Sequence, residues 1–114
     1  MIVIPLRTVS GLNAREHWRA RARRVKAERD ATAWLLRPVT KPPTPCVVTL
    51  TRVAPSGGLD DDNLPGALKG VRDQISTWIG IDDRKREIVR YRYEQRRGRW
   101  AVEVQFAPLS ESGA

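Results

Sequence analysis

Between Leu64 and Ile79 the apolar residues Leu64, Leu68, Val71, Ile75 and Ile79 fall 4, 3, 4 and 4 positions apart. That spacing sets them on one stripe of a helix and predicts a helix over 64–79 that must lie against another apolar layer. Asp62 or Asn63 is placed to cap its start and Gly80 to end it. The neighbouring segments supply the layer. Cys46 to Val53 is β-branched and reads as a strand, followed by a loop at Pro55, Ser56, Gly57 and Gly58. Val89, Tyr91 and Tyr93 alternate with Arg90 and Arg92, and Trp100, Val102, Val104 and Phe106 alternate with Ala101, Glu103 and Gln105. These are two half-buried strands, and Arg96 to Arg99, containing Gly98, reads as a hairpin turn joining them. Met1 to Leu6 is rich in Ile and Val and predicts a short strand.

From Asn13 to about Leu36 there is neither Pro nor Gly, which predicts a long helix capped by Ser10 or Asn13. Pro38 ends it, and Pro42, Pro43 and Pro45 stiffen the connector. The order strand, helix, strand, helix, strand, strand makes an α+β (mixed α/β) domain, a single small sheet covered by two helices. A chain of 114 residues suffices for one such domain, over 1–107, with 108–114 as a frayed polar tail. No apolar run approaches the roughly 18 to 20 residues of a membrane span, and Met1 to Leu6 is too short for a signal peptide, so a soluble cytoplasmic protein is expected. The lone Cys46 allows no intramolecular disulfide and reads as an ordinary buried thiol. Trp34, Trp78 and Trp100 stand at core-compatible positions, while Trp18, among arginines, is left to face solvent or DNA.

The formal charge is +8, and it is unevenly spread. Residues 1–59 carry 11 basic and 3 acidic side chains, residues 60–83 carry 2 and 6, and residues 84–114 carry 8 and 4. An acidic centre between basic arms suits a metal-dependent nuclease, in which Arg and Lys hold phosphates while carboxylates hold the cation. The first helix is densely basic; Arg15, Arg19, Arg23 and Lys26 are the expected nucleic-acid contacts, against the simpler reading of a solvated face. The single histidine, His17, fits a surface or phosphate-contacting role there.

Asp60, Asp61, Asp62 and Asn63 follow a Gly-rich loop and open the second helix. One or two of these carboxylates could serve as a helix cap, but three adjacent ones exceed that need and repel one another unless a cation joins them. In an extended segment Asp60 and Asp62 point to one side and Asp61 to the other. A second pair, Asp82 and Asp83, follows the helix. Oxygen ligands suit Mg²⁺ or Mn²⁺; one Cys and one His are too few for the usual zinc set. An EF-hand loop is excluded, because a start at Asp60 puts Leu64 at its fifth position and a start at Asp61 puts Pro65 there and Arg72 at its twelfth.

The run Asp60-Asp61-Asp62-Asn63-Leu64, then Lys69 and Asp73, then Gly80-Ile81-Asp82-Asp83, resembles the signature of RusA-like Holliday junction resolvases. The resemblance implies a RusA-like fold and a Mg²⁺-dependent (or Mn²⁺-dependent) endonuclease with Asp60, Asp62 and Asp83 as metal ligands and Lys69 assisting catalysis. Asp61 and Asp82 would orient those ligands. It further implies a homodimer that cuts opposing strands of four-way junctions and other branched DNA. Members carry their catalytic Lys three residues after the Asn, where this chain has Gly66; Lys69 lies one turn later and keeps its four-residue spacing to Asp73. Two other readings stay open: an inactive basic DNA- or junction-binding module, and an RNA-binding accessory protein.

Overall fold

The computed structural model describes residues 1–9, 18–55, 58–59, 63–82 and 84–109. Its elements are β1 (Ile2–Ile4), α1 (Trp18–Leu36), β2 (Cys46–Ala54), α2 (Leu64–Ala67), α3 (Lys69–Ile79), β3 (Val89–Arg97) and β4 (Ala101–Pro108). Together they form a small α+β domain with one four-stranded mixed sheet in the order β1-β4-β2-β3. No described helix is long and apolar enough to cross a membrane.

β2 is central because both its edges are paired, in parallel with β3 and antiparallel with β4. Its pleat sends Cys46, Val48 and Leu50 to the face covered by the helices, and Val47, Thr49 and Thr51 to the other. On the covered face these residues meet Val89, Tyr91 and Tyr93 of β3, Val102, Val104 and Phe106 of β4, and Ile4 of β1. Leu64, Leu68, Val71 and Ile75 of the expected helical stripe close the core from above. Burial of this apolar face, at roughly 25 cal/mol per Å², is the main term holding the helices to the sheet. Burial also pushes the Cys46 thiol pKa up, so it stays an unreactive neutral group.

Three features depart from the sequence reading. β3 and β4 do not form a hairpin: their short connection crosses over the end of β2, which lies between them. The Gly98 N–H donates to the Ala54 carbonyl at 2.9 Å, and a Cβ at Gly98 would stand 2.8 Å from Val53 Cγ1, so the crossing needs a glycine there.

The second helix is interrupted. Leu68 adopts φ −106°, ψ 5°, and splits it into α2 and α3. Pro65, Gly66 and Gly70 crowd weak helix formers into this stretch, and the remaining turns cannot enforce a continuous ladder through Leu68. Asn63 makes no side-chain cap bond, whereas Gly80 ends α3 as expected, in the left-handed region at φ 84°. Trp34 is not in the core: it is 67% exposed, with the Arg37 guanidinium 5.1 Å from its ring centroid. Trp78 does pack inward, against Phe106 at 5.7 Å between ring centroids, and Trp100 is half-buried between Arg7 and Arg52.

α1 sits beside α3 and buries an unusual stripe, Glu28, Thr32 and Leu36. Thr32 Oγ1 donates to the Glu28 carbonyl at 2.7 Å, and Arg24 pairs with the Glu28 carboxylate at 3.2 Å. Gly70 lets the two helices approach, since a Cβ there would meet Glu28 Oε1 at 2.8 Å. At the far end of the chain β4 reaches Pro108, and the Leu109 N–H bonds Pro45, slightly beyond the expected boundary at 107.

Candidate functional site

Along the helix-covered face the inward positions of β2 and β3 are apolar or aromatic from Cys46 and Val89 as far as Arg52 and Gln95, which stand side by side in the ladder one same-face pair before its end at Ala54 and Arg97. Arg52 is only 7% exposed, and burial lowers its pKa from the ordinary arginine value. Its Nε donates to Thr8 Oγ1 at 2.9 Å and its guanidinium lies 5.4 Å from the Trp100 centroid. Gln95 reaches sideways to the loop that leaves β2. Its Oε1 accepts the Leu59 N–H at 2.9 Å and its Nε2 donates to the Leu59 carbonyl at 2.7 Å. The side-chain amide thus pairs with Leu59 as a neighbouring strand would. A Cβ at Gly58 would lie 2.9 Å from Gln95 Cδ, so glycine is what admits the clamp.

Leu59 directly precedes the acidic run, and Asn63 follows it. The Asn63 carbonyl accepts the Ala67 N–H at 3.1 Å, but its side-chain Oδ1 is buried without a hydrogen-bond partner among the described residues. A buried amide oxygen costs about 1–3 kcal/mol when unpaired, so an electropositive partner or a water fits at this point. Asp60, Asp61, Asp62 and Asp83 themselves lie outside the described residues, as do Ser10, Asn13, Arg15 and His17.

At the start of α3, Lys69 Nζ donates to Asp73 Oδ2 at 3.0 Å, and Arg72 Nη2 reaches Asp73 Oδ1 at 3.5 Å. Arg72 Nη1 also donates to the Tyr93 hydroxyl at 3.1 Å, and Ser76 shares a 3.0 Å hydrogen bond with the Tyr91 hydroxyl. Lys69 therefore stands on the exposed flank of a polar row that ties α3 to β3. Asp82, beyond Gly80, is engaged locally: its Oδ1 accepts the Arg84 N–H at 2.8 Å and its Oδ2 accepts the Arg84 guanidinium at 3.0 Å.

These contacts fix the direction of the crossover. α3 runs antiparallel to β3, with Arg72 against Tyr93 and Ser76 against Tyr91. Leu59 stands at the Gln95 end of β3, and the turn at Asp82–Lys85 stands at the Val89 end, where the Val89 N–H bonds the Lys85 carbonyl at 3.0 Å. The 11 residues of α3 alone span about 16 Å at 1.5 Å per residue. Asn63 and Asp82, the described neighbours of the two acidic segments, are thus held at opposite ends of α3 within one chain.

The expected nucleic-acid contacts Arg19, Arg23 and Lys26 are exposed on α1, at spacings that share one face. Arg19 stacks on Trp18 with its Cζ 5.1 Å from the ring centroid, Trp18 is 67% exposed, and Lys26 pairs with Asp30 at 2.6 Å. Arg24, by contrast, turns in to Glu28. Gln95 was missed by the sequence reading, though a polar residue at an inward position of an otherwise aromatic stripe was its signal.

Compared with family models, curated proteins and solved structures, the chain matches none of them.

Proposed function

We propose that the chain is a Mg²⁺-dependent endodeoxyribonuclease of RusA-like type that cuts four-way junctions and other branched DNA. The observation that carries this reading is the setting of the residues that flank the acidic run: Leu59 before it is clamped by Gln95, and Asn63 after it carries a buried side-chain oxygen with no hydrogen-bond partner among the described residues. Pre-organisation of this kind is what metal ligands need from their surroundings. An oxygen-only donor set of Asp60, Asp62 and Asp83 fits Mg²⁺ or Mn²⁺. Such a cation, when bound, supplies polarisation of the scissile phosphate and acidifies the attacking water. Lys69, at the start of α3, would offset charge developing on the phosphate. The exposed face of Arg19, Arg23 and Lys26 would hold the DNA backbone, joined by Arg15. In-line attack by water then leaves a 3′-hydroxyl and a 5′-phosphate.

The working unit in this reading is a homodimer, for two reasons. Resolution of a junction takes two symmetric cuts, which a two-fold dimer supplies with one interface. In addition, the separation of Asn63 from Asp82 along α2 and α3 favours a site shared between chains, Asp60 and Asp62 of one completed by Asp83 of the other. Metal–oxygen bonds of about 2.1 Å require the ligands of one cation to converge, whereas Asn63 and Asp82 lie on either side of a helix of 11 residues, about 16 Å long.

Incubation of the purified protein with a four-way junction, a linear duplex and a single strand, each with Mg²⁺ or EDTA, tests the reading. Paired cuts in the junction with Mg²⁺ alone are expected. Tight junction binding without cleavage would instead identify a binding module, and preference for RNA over every DNA substrate would identify the RNA-binding alternative.

A further inference from the structure

The sheet face turned away from the helices is strongly basic at one end. β3 is an edge strand, and its pleat sends Arg90, Arg92, Glu94 and Arg96 to this face. Beside them in register stand Val47, Thr49 and Thr51 of β2, all half-buried. An open groove of about 500 Å³ runs here, lined by Val47, Thr49, Arg86, Arg90, Arg92 and Ala107 among others. Of the acidic side chains of this face, Glu103 is bonded to Arg96 at the other end, and Glu94 stands mid-strand, 4.0 Å from Arg92 in an exposed, loose pair that a phosphate can replace. Arg86 and Arg90 have no acidic partner among the described residues.

Exposed guanidiniums over a shallow floor of methyl and hydroxyl groups suit a polyanion, to which threonine hydroxyls can also donate. We infer that this groove is a second DNA-binding surface, holding the phosphate backbone of one duplex arm through Arg86, Arg90 and Arg92. Residues two apart on a strand are separated by roughly 6.6 Å, close to two backbone rises of about 3.4 Å in duplex DNA. A second copy of the chain is a poorer occupant, because a two-fold contact through this face would set arginine against arginine. The choice of DNA as the polyanion rests on the function proposed above; the groove and its charge do not.

The test compares wild type with the Arg90→Gln/Arg92→Gln double variant in EDTA. Anisotropy of a labelled duplex would be followed as salt rises from about 50 to about 200 mM. Loss of two phosphate contacts should reduce the slope of log affinity against log salt by about 1.8, at roughly 0.9 per phosphate, with sedimentation unchanged. Arg90→Gln alone, a milder change for the fold, should reduce it by about 0.9. An unchanged slope in the variants would overturn the inference, and so would a change of oligomeric state without a change in DNA affinity, which would make this face an interface between copies. Because binding is read without cleavage, the two ideas separate: wild type that loses slope on mutation yet never cuts DNA keeps the groove and loses the nuclease. Wild type that cuts junctions, with variants that bind as it does, keeps the nuclease and loses the groove.

Discussion

Asp60→Asn, Asp62→Asn and Asp83→Asn are each expected to lower junction cleavage by at least about a thousandfold while leaving junction binding intact or tighter. The substitution keeps the side-chain shape and removes the negative charge that a hard cation requires. Losing a ligand should exceed the ~10²–10³-fold cost of deleting one charge-stabilising donor, because the water and the phosphate both depend on the cation. Affinity for a polyanion should not fall, since each variant removes a negative charge. Cleavage rates in Mg²⁺ and binding in EDTA, measured on the same preparations, check both halves. Three variants that cut at near wild-type rate would place the chemistry elsewhere.

Gln95→Leu should lower cleavage by roughly 10–100-fold, the usual effect of removing a residue that orients metal ligands. Leucine keeps the bulk but loses both hydrogen bonds to Leu59. Gln95→Glu keeps an acceptor for the Leu59 N–H and loses the donor to its carbonyl, so an intermediate loss is expected. Since Gln95 acts by positioning, the Mg²⁺ concentration for half-maximal cleavage should rise in the order wild type, Glu, Leu. A merely structural role would lower the melting temperature without moving that concentration. Equal activity in all three proteins would mean that the loop is positioned without the clamp.

Local periodicity made much of the fold legible. The stripe from Leu64 to Ile79 supplied core contacts, and the alternation of Val89, Tyr91 and Tyr93 faced the core as the pattern required. The insertion of β2 between β3 and β4 was not legible, because strand pairing is a choice among distant partners, whereas a short Gly-containing link looks the same whether it closes a hairpin or crosses a strand end. The break at Leu68 was hidden by the regular spacing of the stripe, although Pro65, Gly66 and Gly70 were its local cause. Trp34 occupied an apolar position in a helix whose buried stripe turned out to include Glu28 and Thr32, so hydrophobicity alone misassigned it. For the site, the carboxylate motif is a pattern of residue types and is readable as such. The clamp by Gln95 and the opposed ends of α3 depend on which elements meet in space.

Cleavage by mixed dimers of Asp62→Asn and Asp83→Asn chains, co-purified through two different tags, bears most directly on a cation site built between two copies. Each variant alone should leave junctions intact in Mg²⁺. In the mixed dimer one site combines Asp60 and Asp62 of the Asp83→Asn chain with Asp83 of the Asp62→Asn chain, so junctions nicked on a single strand are expected. A mixed dimer as inert as its parents, beside wild type that cuts both strands, would contradict the shared site.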